Sequence, residues 1–321
     1  MIRRPPRSTL SSSSAASDVY KRQVLNIFIG EQMSQEQIGT QESNPLKKYY
    51  RQPKQFVRLP SNYKYYKPGT IQVPESGEVA VFPMTAKDEL LFKTPDALLN
   101  GEATVRVIQS CIPAITNAWE MPALDIDTCL VAIRMATYGT KMQVKVFVPN
   151  TKIEKDMELD LQAALDKLLS NAYEETFLYQ NMEVTTRPLT YKEFSEAAIK
   201  TFEEQRLASV VQNNEMPEEE KIKRFQASFN KLTDINIQMV SASVASIRVD
   251  GQVVTDKTQI QEFLENTSKE FYQTIIDQST KQKDNFTIPP VEMTATPEEI
   301  KAGAPETYKV PVLFDQSNFF A

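Results

Sequence analysis

The sequence has no histidine, two cysteines, eight glycines and one tryptophan in 321 residues. Each scarcity removes a class of chemistry. Without imidazole there is no Ser-His or Cys-His nucleophilic pair, no histidine acid–base step and no His-ligated metal. Cys111 and Cys129 are too few for a thiolate zinc site or a disulfide framework. The glycines never fall at the spacing of a dinucleotide-binding turn or a P-loop, which sets aside the common nucleotide enzymes. No run approaches the roughly 20 apolar residues that span a bilayer. Isolated thiols and no membrane segment make a reducing cytoplasm the expected compartment. The formal net charge of −6 argues against broad electrostatic binding to nucleic acid. The residues therefore predict no enzyme, no metal and no cofactor.

What is present is ordinary for a globular protein: 41% hydrophobic and 24% charged residues, enough for a packed core. Residues 1–23 (MIRRPPRSTLSSSSAASDVYKRQ) have basic residues and a serine run but no apolar centre, so they fail as a signal peptide. They resemble the conceptual translation of a sequencing adapter, and Met33 is the expected start. Residues 24–46 are read as a disordered arm.

The remainder predicts an α+β fold. An N-terminal α+β domain is expected over 47–182, with a small β-meander (strands 70–73 and 78–82) and short helices at 86–93, 95–100, 102–112 and 126–138. A strand pair at 142–148 and 157–161 and a helix at 161–169 complete it. Thr85 and Asp88 have the spacing of a helix N-cap, and Pro95 and Gly101 suit the start and end of a short helix. Residues 188–246 read as an antiparallel helical hairpin turning at 213–217, with Phe194, Ala198 and Phe202 on one helix. Ile222, Phe225, Phe229, Leu232 and Met239 recur on the other. The segment 247–321 carries a β-hairpin with Asp250-Gly251 in its turn, and a helix opened by a capping box at 267–270. A strand pair at 291–294 and 308–313 follows, then a polar tail. That pair echoes the one at 142–161.

Candidate sites are few. Residues 47–67 interleave basic side chains with Tyr49, Tyr50, Phe56, Tyr63, Tyr65 and Tyr66 and contain no acid. Stacking on bases is one reading of such a stretch; protein contact is the favoured one, because tyrosine anchors interfaces and the rest of the chain is acidic. Asp125-Ile126-Asp127 has the form of a metal-holding acid pair, but it opens a predicted helix, where acids act as caps. Both cysteines have apolar neighbours and read as buried, inert thiols. Phe319 and Phe320, adjacent at a polar end, are read as an anchor for another subunit. The proposed partner-binding residues are thus Tyr49, Tyr50, Tyr63, Tyr65, Tyr66, Phe319 and Phe320, with the exposed face of the hairpin as a further surface.

Five stretches carry a resemblance: residues 60–68 (PSNYKYYKP), 82–101 (FPMTAKDELLFKTPDALLNG), 107–113 (VIQSCIP), 132–139 (AIRMATYG) and 314–320 (FDQSNFF). Through them the chain, from about residue 46 to its end, resembles the baseplate hub family of T-even-like contractile-tailed phages and their cyanophage relatives. The resemblance implies a hub subunit in the virion tail baseplate, assembled in the host cytoplasm through contacts with other hub and tail proteins. It equally admits a transient hub assembly chaperone absent from the finished particle. A nucleic-acid-binding phage accessory protein is the remaining alternative. Some relatives place paired cysteines in the loops corresponding to 149–156 and 295–307; this chain has none there, so no metal is carried over.

Overall fold

A computed structural model of the chain describes residues 44–93, 101–213, 217–288 and 290–310. The expectations for residues 1–43, for the helix at 95–100, for the strand end at 311–313 and for Phe319 and Phe320 lie outside these residues. The architecture is α+β, with small antiparallel sheets arranged around three apolar clusters.

The first cluster is built around one helix. Strands β1 (Gln55–Val57) and β2 (Val79–Val81) form a short antiparallel ribbon, followed by helices α1 (Ala86–Phe92), α2 (Glu102–Cys111) and α3 (Ile126–Tyr138). Five consecutive residues of α3, Cys129 to Ile133, are buried, so this helix is covered all round rather than amphipathic. Helix α4 (Leu161–Leu169) adds Leu161 and Leu168 to the same core. Thr85 caps α1 with Asp88 in a complete capping box, as its spacing predicts. The expected meander is corrected in one respect. Residues 70–73 contribute only a bridge between Ile71 and Ile115, and the partner of β2 is β1, inside the basic-aromatic stretch. Residues 55–57 lack the period-two run that marks a strand; a partner distant in sequence makes them one.

The second cluster joins two ribbons. Strands β3 (Lys141–Phe147) and β4 (Glu154–Asp160) pair, and so do β9 (Val291–Thr294) and β10 (Thr307–Val310). Val146, Val148 and Met157 of the first pack with Ala295, Ala304, Tyr308 and Val310 of the second. Lys155 crosses between them to Glu299 at 2.8 Å. Between β9 and β10 the loop at 295–307 contains a short capped helix, α9 (Pro297–Lys301).

The third cluster lies under a four-stranded sheet in the order β5 (Thr176–Tyr179), β6 (Met182–Thr186), β7 (Val244–Val249), β8 (Gln252–Val254), all antiparallel. Helices α5 (Tyr191–Asn213) and α6 (Glu218–Ser243) leave the sheet after β6 and return at β7. The divisions read from sequence at 182 and 246 fall inside this sheet, so the helical hairpin is an insertion between two neighbouring strands. Helices α7 (Lys257–Asn266) and α8 (Lys269–Asn285) cover one face of the sheet with Ile260, Leu264, Phe271 and Ile275. Ser268, not Thr267, caps α8, because the chain first has to leave α7.

Candidate interaction surfaces

Three of the basic-aromatic residues are turned inward. Tyr63 donates its hydroxyl to the Gly77 carbonyl at 2.8 Å, and Tyr65 donates to Glu175, which also receives Lys64. Tyr66 packs half-buried against the first core beside Tyr63. Burial and the neighbouring Asp125 carboxylate push its phenol well above the ordinary tyrosine value, and burial raises Tyr63 to about 12. Three of the seven basic residues are paired with acidic groups as well. Arg51 reaches Asp88 at 3.2 Å and the Ser110 carbonyl at 2.7 Å, and Lys67 reaches Glu120 at 2.6 Å. Among the tyrosines only those at the start of the stretch are open: Tyr49 is 73% exposed and Tyr50 57%, with Lys48 over the Tyr49 ring, while Lys54 and Arg58 further along are exposed too.

Asp125 performs neither role expected of it. Its carboxylate makes no cap hydrogen bond to α3; it accepts from the backbone N–H of Ser61 (2.9 Å) and from the Ser61 hydroxyl (2.6 Å). Burial raises its pKa to about 6 against the opposing effect of those hydrogen bonds, and burial raises Asp127 likewise. Among the described residues no three His, Cys, Asp or Glu side chains cluster as a metal site would require. Cys111 and Cys129 are fully buried, and burial pushes both thiols up, Cys111 to about 12.

Among the described residues the helical hairpin carries several exposed large apolar side chains. Its root is fixed. Thr190 and Glu193 cap the start of α5 by reciprocal hydrogen bonds, and Arg187 grips the Glu193 carboxylate at 2.6 and 2.9 Å. Tyr191 stacks on Trp119 at 5.7 Å and donates its backbone N–H to the Met121 carbonyl. Beyond the root, the fully buried residues between the two helices are small or polar, with Leu232, Ile235 and Met239 of α6 half-buried beside them. Ala197 and Glu204 of α5 and Ser228 of α6 are buried, with Lys231 bonded to Glu204 at 2.9 Å. Of the apolar residues that recur along the two helices, Leu232 and Met239 are half-buried and the others are more open. Phe202 is 57% exposed, Ile222 55%, Phe225 50% and Phe229 62%, with Phe194 at 39%.

Helical geometry shows how these fall. At about 100° per residue, with Ala197 and Ser228 facing inward, Phe194, Ala198, Phe202 and Gln205 of α5 lie to one side of the hairpin. Ile222, Phe225, Gln226, Phe229 and Thr233 of α6 lie on that same side. The Glu204–Lys231 bond brings Phe202 and Phe229 to nearly the same level. Glu196, Lys200 and Glu203 of α5 and Glu220, Arg224, Lys231 and Asp234 of α6 lie on the opposite side. Neither helix alone has a clean stripe. The pair has one aromatic side, neutral apart from Glu218 at its tip, and one charged side.

A compact body carrying a rooted helical blade with one apolar side is the build of a component of a larger assembly. The chain belongs to the family described as T4 bacteriophage base plate protein, whose family model matches residues 59–321. No curated protein and no solved structure matches it. Its role is accordingly structural or assembly-related, in the phage tail baseplate.

Proposed function

We propose that this protein builds the baseplate hub through protein–protein contact, without catalytic chemistry of its own. The observation that carries the reading is the outward face of the hairpin, where Phe202, Ile222, Phe225 and Phe229 are each at least half exposed. Contiguous apolar surface of this kind marks an interaction site. Tyr49, Tyr50 and the terminal Phe319 and Phe320 supply further anchors to hub and tail partners. The nucleic-acid alternative is the weaker, because Arg51, Lys64 and Lys67 are committed to acidic groups of the chain itself.

The test is co-expression with the neighbouring tail proteins, capture of the complex, and mass spectrometry of purified virions. Presence in both complex and particle makes the protein a hub subunit. Presence in the complex alone makes it an assembly chaperone. Absence from both overturns the reading, and salt-sensitive retention on single-stranded DNA would then favour the basic stretch.

A further inference from the structure

We infer that the neutral side of the hairpin is a self-association surface, its occupant the same side of a second copy of this chain. The inference rests on the reading of the hairpin as a docking surface and names what docks there. Two hairpins meeting by these sides form a four-helix bundle, with Phe202 and Phe229 of each copy at its centre.

Charge is the first argument. A chain of net charge −6 repels its own copy wherever acidic surfaces meet. Here most charged residues of both helices are gathered on the opposite side, and Glu218, which shares the neutral side, sits at the tip of the hairpin away from Phe202 and Phe229, so the centres of two copies can approach without bringing like charges together. A different protein is commonly guided by complementary charges around the apolar centre; among the described residues the middle of this side has none. Gln205, Gln226 and Thr233 flank the aromatics and can hydrogen-bond whatever orientation symmetry imposes. Area is the second argument. Five apolar side chains about half exposed, at about 200 Å² for a full aromatic, amount to about 500 Å² per copy. Two copies reach the roughly 1,000 Å² that a specific interface requires. The third is the interior of the hairpin. There Ala197, Glu204 and Ser228 are buried and Leu232, Ile235 and Met239 half-buried, so the inward positions are held by other residues and the phenylalanines stay outside.

The test is the solution mass of the full chain by light scattering over a dilution series, beside the double variant Phe202→Glu, Phe229→Glu. The expected result is a two-chain mass for the wild type, weakened at least roughly 100-fold in the variant, with unchanged circular dichroism and melting. A single-chain mass for the wild type at every concentration overturns the inference, and so does a dimer indifferent to the substitutions. Should the double variant fail to fold, single cysteines keep the question open to decision, since the two native thiols are buried. Gln226→Cys should cross-link to its copy through a short bismaleimide and Lys223→Cys, turned toward the charged side, should not; equal cross-linking overturns it. Hub partners are read separately. A monomeric wild type whose partner capture is abolished by the same substitutions leaves the docking reading standing and removes only the second copy.

Discussion

Ser61 donates both its backbone N–H and its hydroxyl to the carboxylate of Asp125, at 2.9 and 2.6 Å, across 64 residues of sequence. The clamp holds an unusual turn. Asn62 and Tyr63 follow with φ of 47° and 65°, two successive side-chain-bearing residues in the left-handed region. The Ser61 hydroxyl also accepts from the Tyr63 N–H at 3.1 Å. The turn aims Tyr63, Tyr65 and Tyr66 at the body, which is why these tyrosines are internal struts.

Ser61→Ala removes one donor from a fully buried carboxylate and one acceptor from the strained turn. A loss of about 1–3 kcal/mol is expected, measured by chemical denaturation at neutral pH. A change within the error of the fit would show that the turn is held elsewhere.

The raised pKa of Asp125 fixes the direction of a pH effect. A carboxyl that binds its proton more tightly when folded contributes most stability below its unfolded value, near 3.8, and loses that contribution as pH rises through about 6. Asp125→Asn should therefore flatten the fall in stability over this window relative to wild type. Glu193, held below the ordinary carboxylate range by Arg187 and the Thr190 cap despite burial, acts in the opposite sense and loses its contribution as pH falls. Parallel pH profiles for wild type and Asp125→Asn would refute the assignment.

Gly101 stands at φ +76°, and a Cβ there would lie 2.9 Å from the Tyr191 hydroxyl and 3.2 Å from that of Ser195. Gly101→Ala thus combines backbone strain with a clash at the hairpin root, at an expected cost of about 1–3 kcal/mol. Tyr191→Phe removes the nearest atom and should recover part of that loss in the double variant. Additive losses would place the strain in the backbone alone.

Asp88 accepts from the Thr85 N–H and hydroxyl, from the Ser110 hydroxyl and from Arg51. Its removal takes away the cap acceptor and, among the described residues, the only charged partner of Arg51, which keeps the Pro83 and Ser110 carbonyls. Asp88→Ala should cost about 2–3 kcal/mol, the loss of a charge-assisted hydrogen bond and a cap together. Thr85→Ala, which removes only the cap hydroxyl, should cost about 1 kcal/mol. Equal losses would mean that the arginine contributes nothing.

Truncation after residue 318 removes Phe319 and Phe320 and tests the terminal anchor. Weaker capture of hub partners with an unchanged melting temperature is expected; a matching drop in melting temperature would assign the pair to the protein's own core.

Legibility followed the range of the interaction. The Thr85–Asp88 box, the Asp250-Gly251 turn, the alternation of residues 142–148 and the lengths of α5 and α6 depend on neighbours a few residues away, and all were readable. Helix α7 was missed because its short amphipathic pattern ends without glycine or proline. Strand β6 was missed because its five residues offer too few alternations to distinguish it from a loop. Asp125 looked like a cap because nothing in its vicinity announces Ser61.

The residue content alone determined the absence of imidazole chemistry, the α+β class, the positions of most elements and the family resemblance. These rest on composition, on periodicity and on local backbone preference, which a linear chain already contains. Tertiary structure decided where the apolar residues of the hairpin point. Periodicity marks a stripe on each helix but not its partner. Ala197, Glu204 and Ser228 are buried between the helices beside the half-buried Leu232, Ile235 and Met239, with a cross-helix ion pair from Glu204 to Lys231, and the phenylalanines were left facing outward.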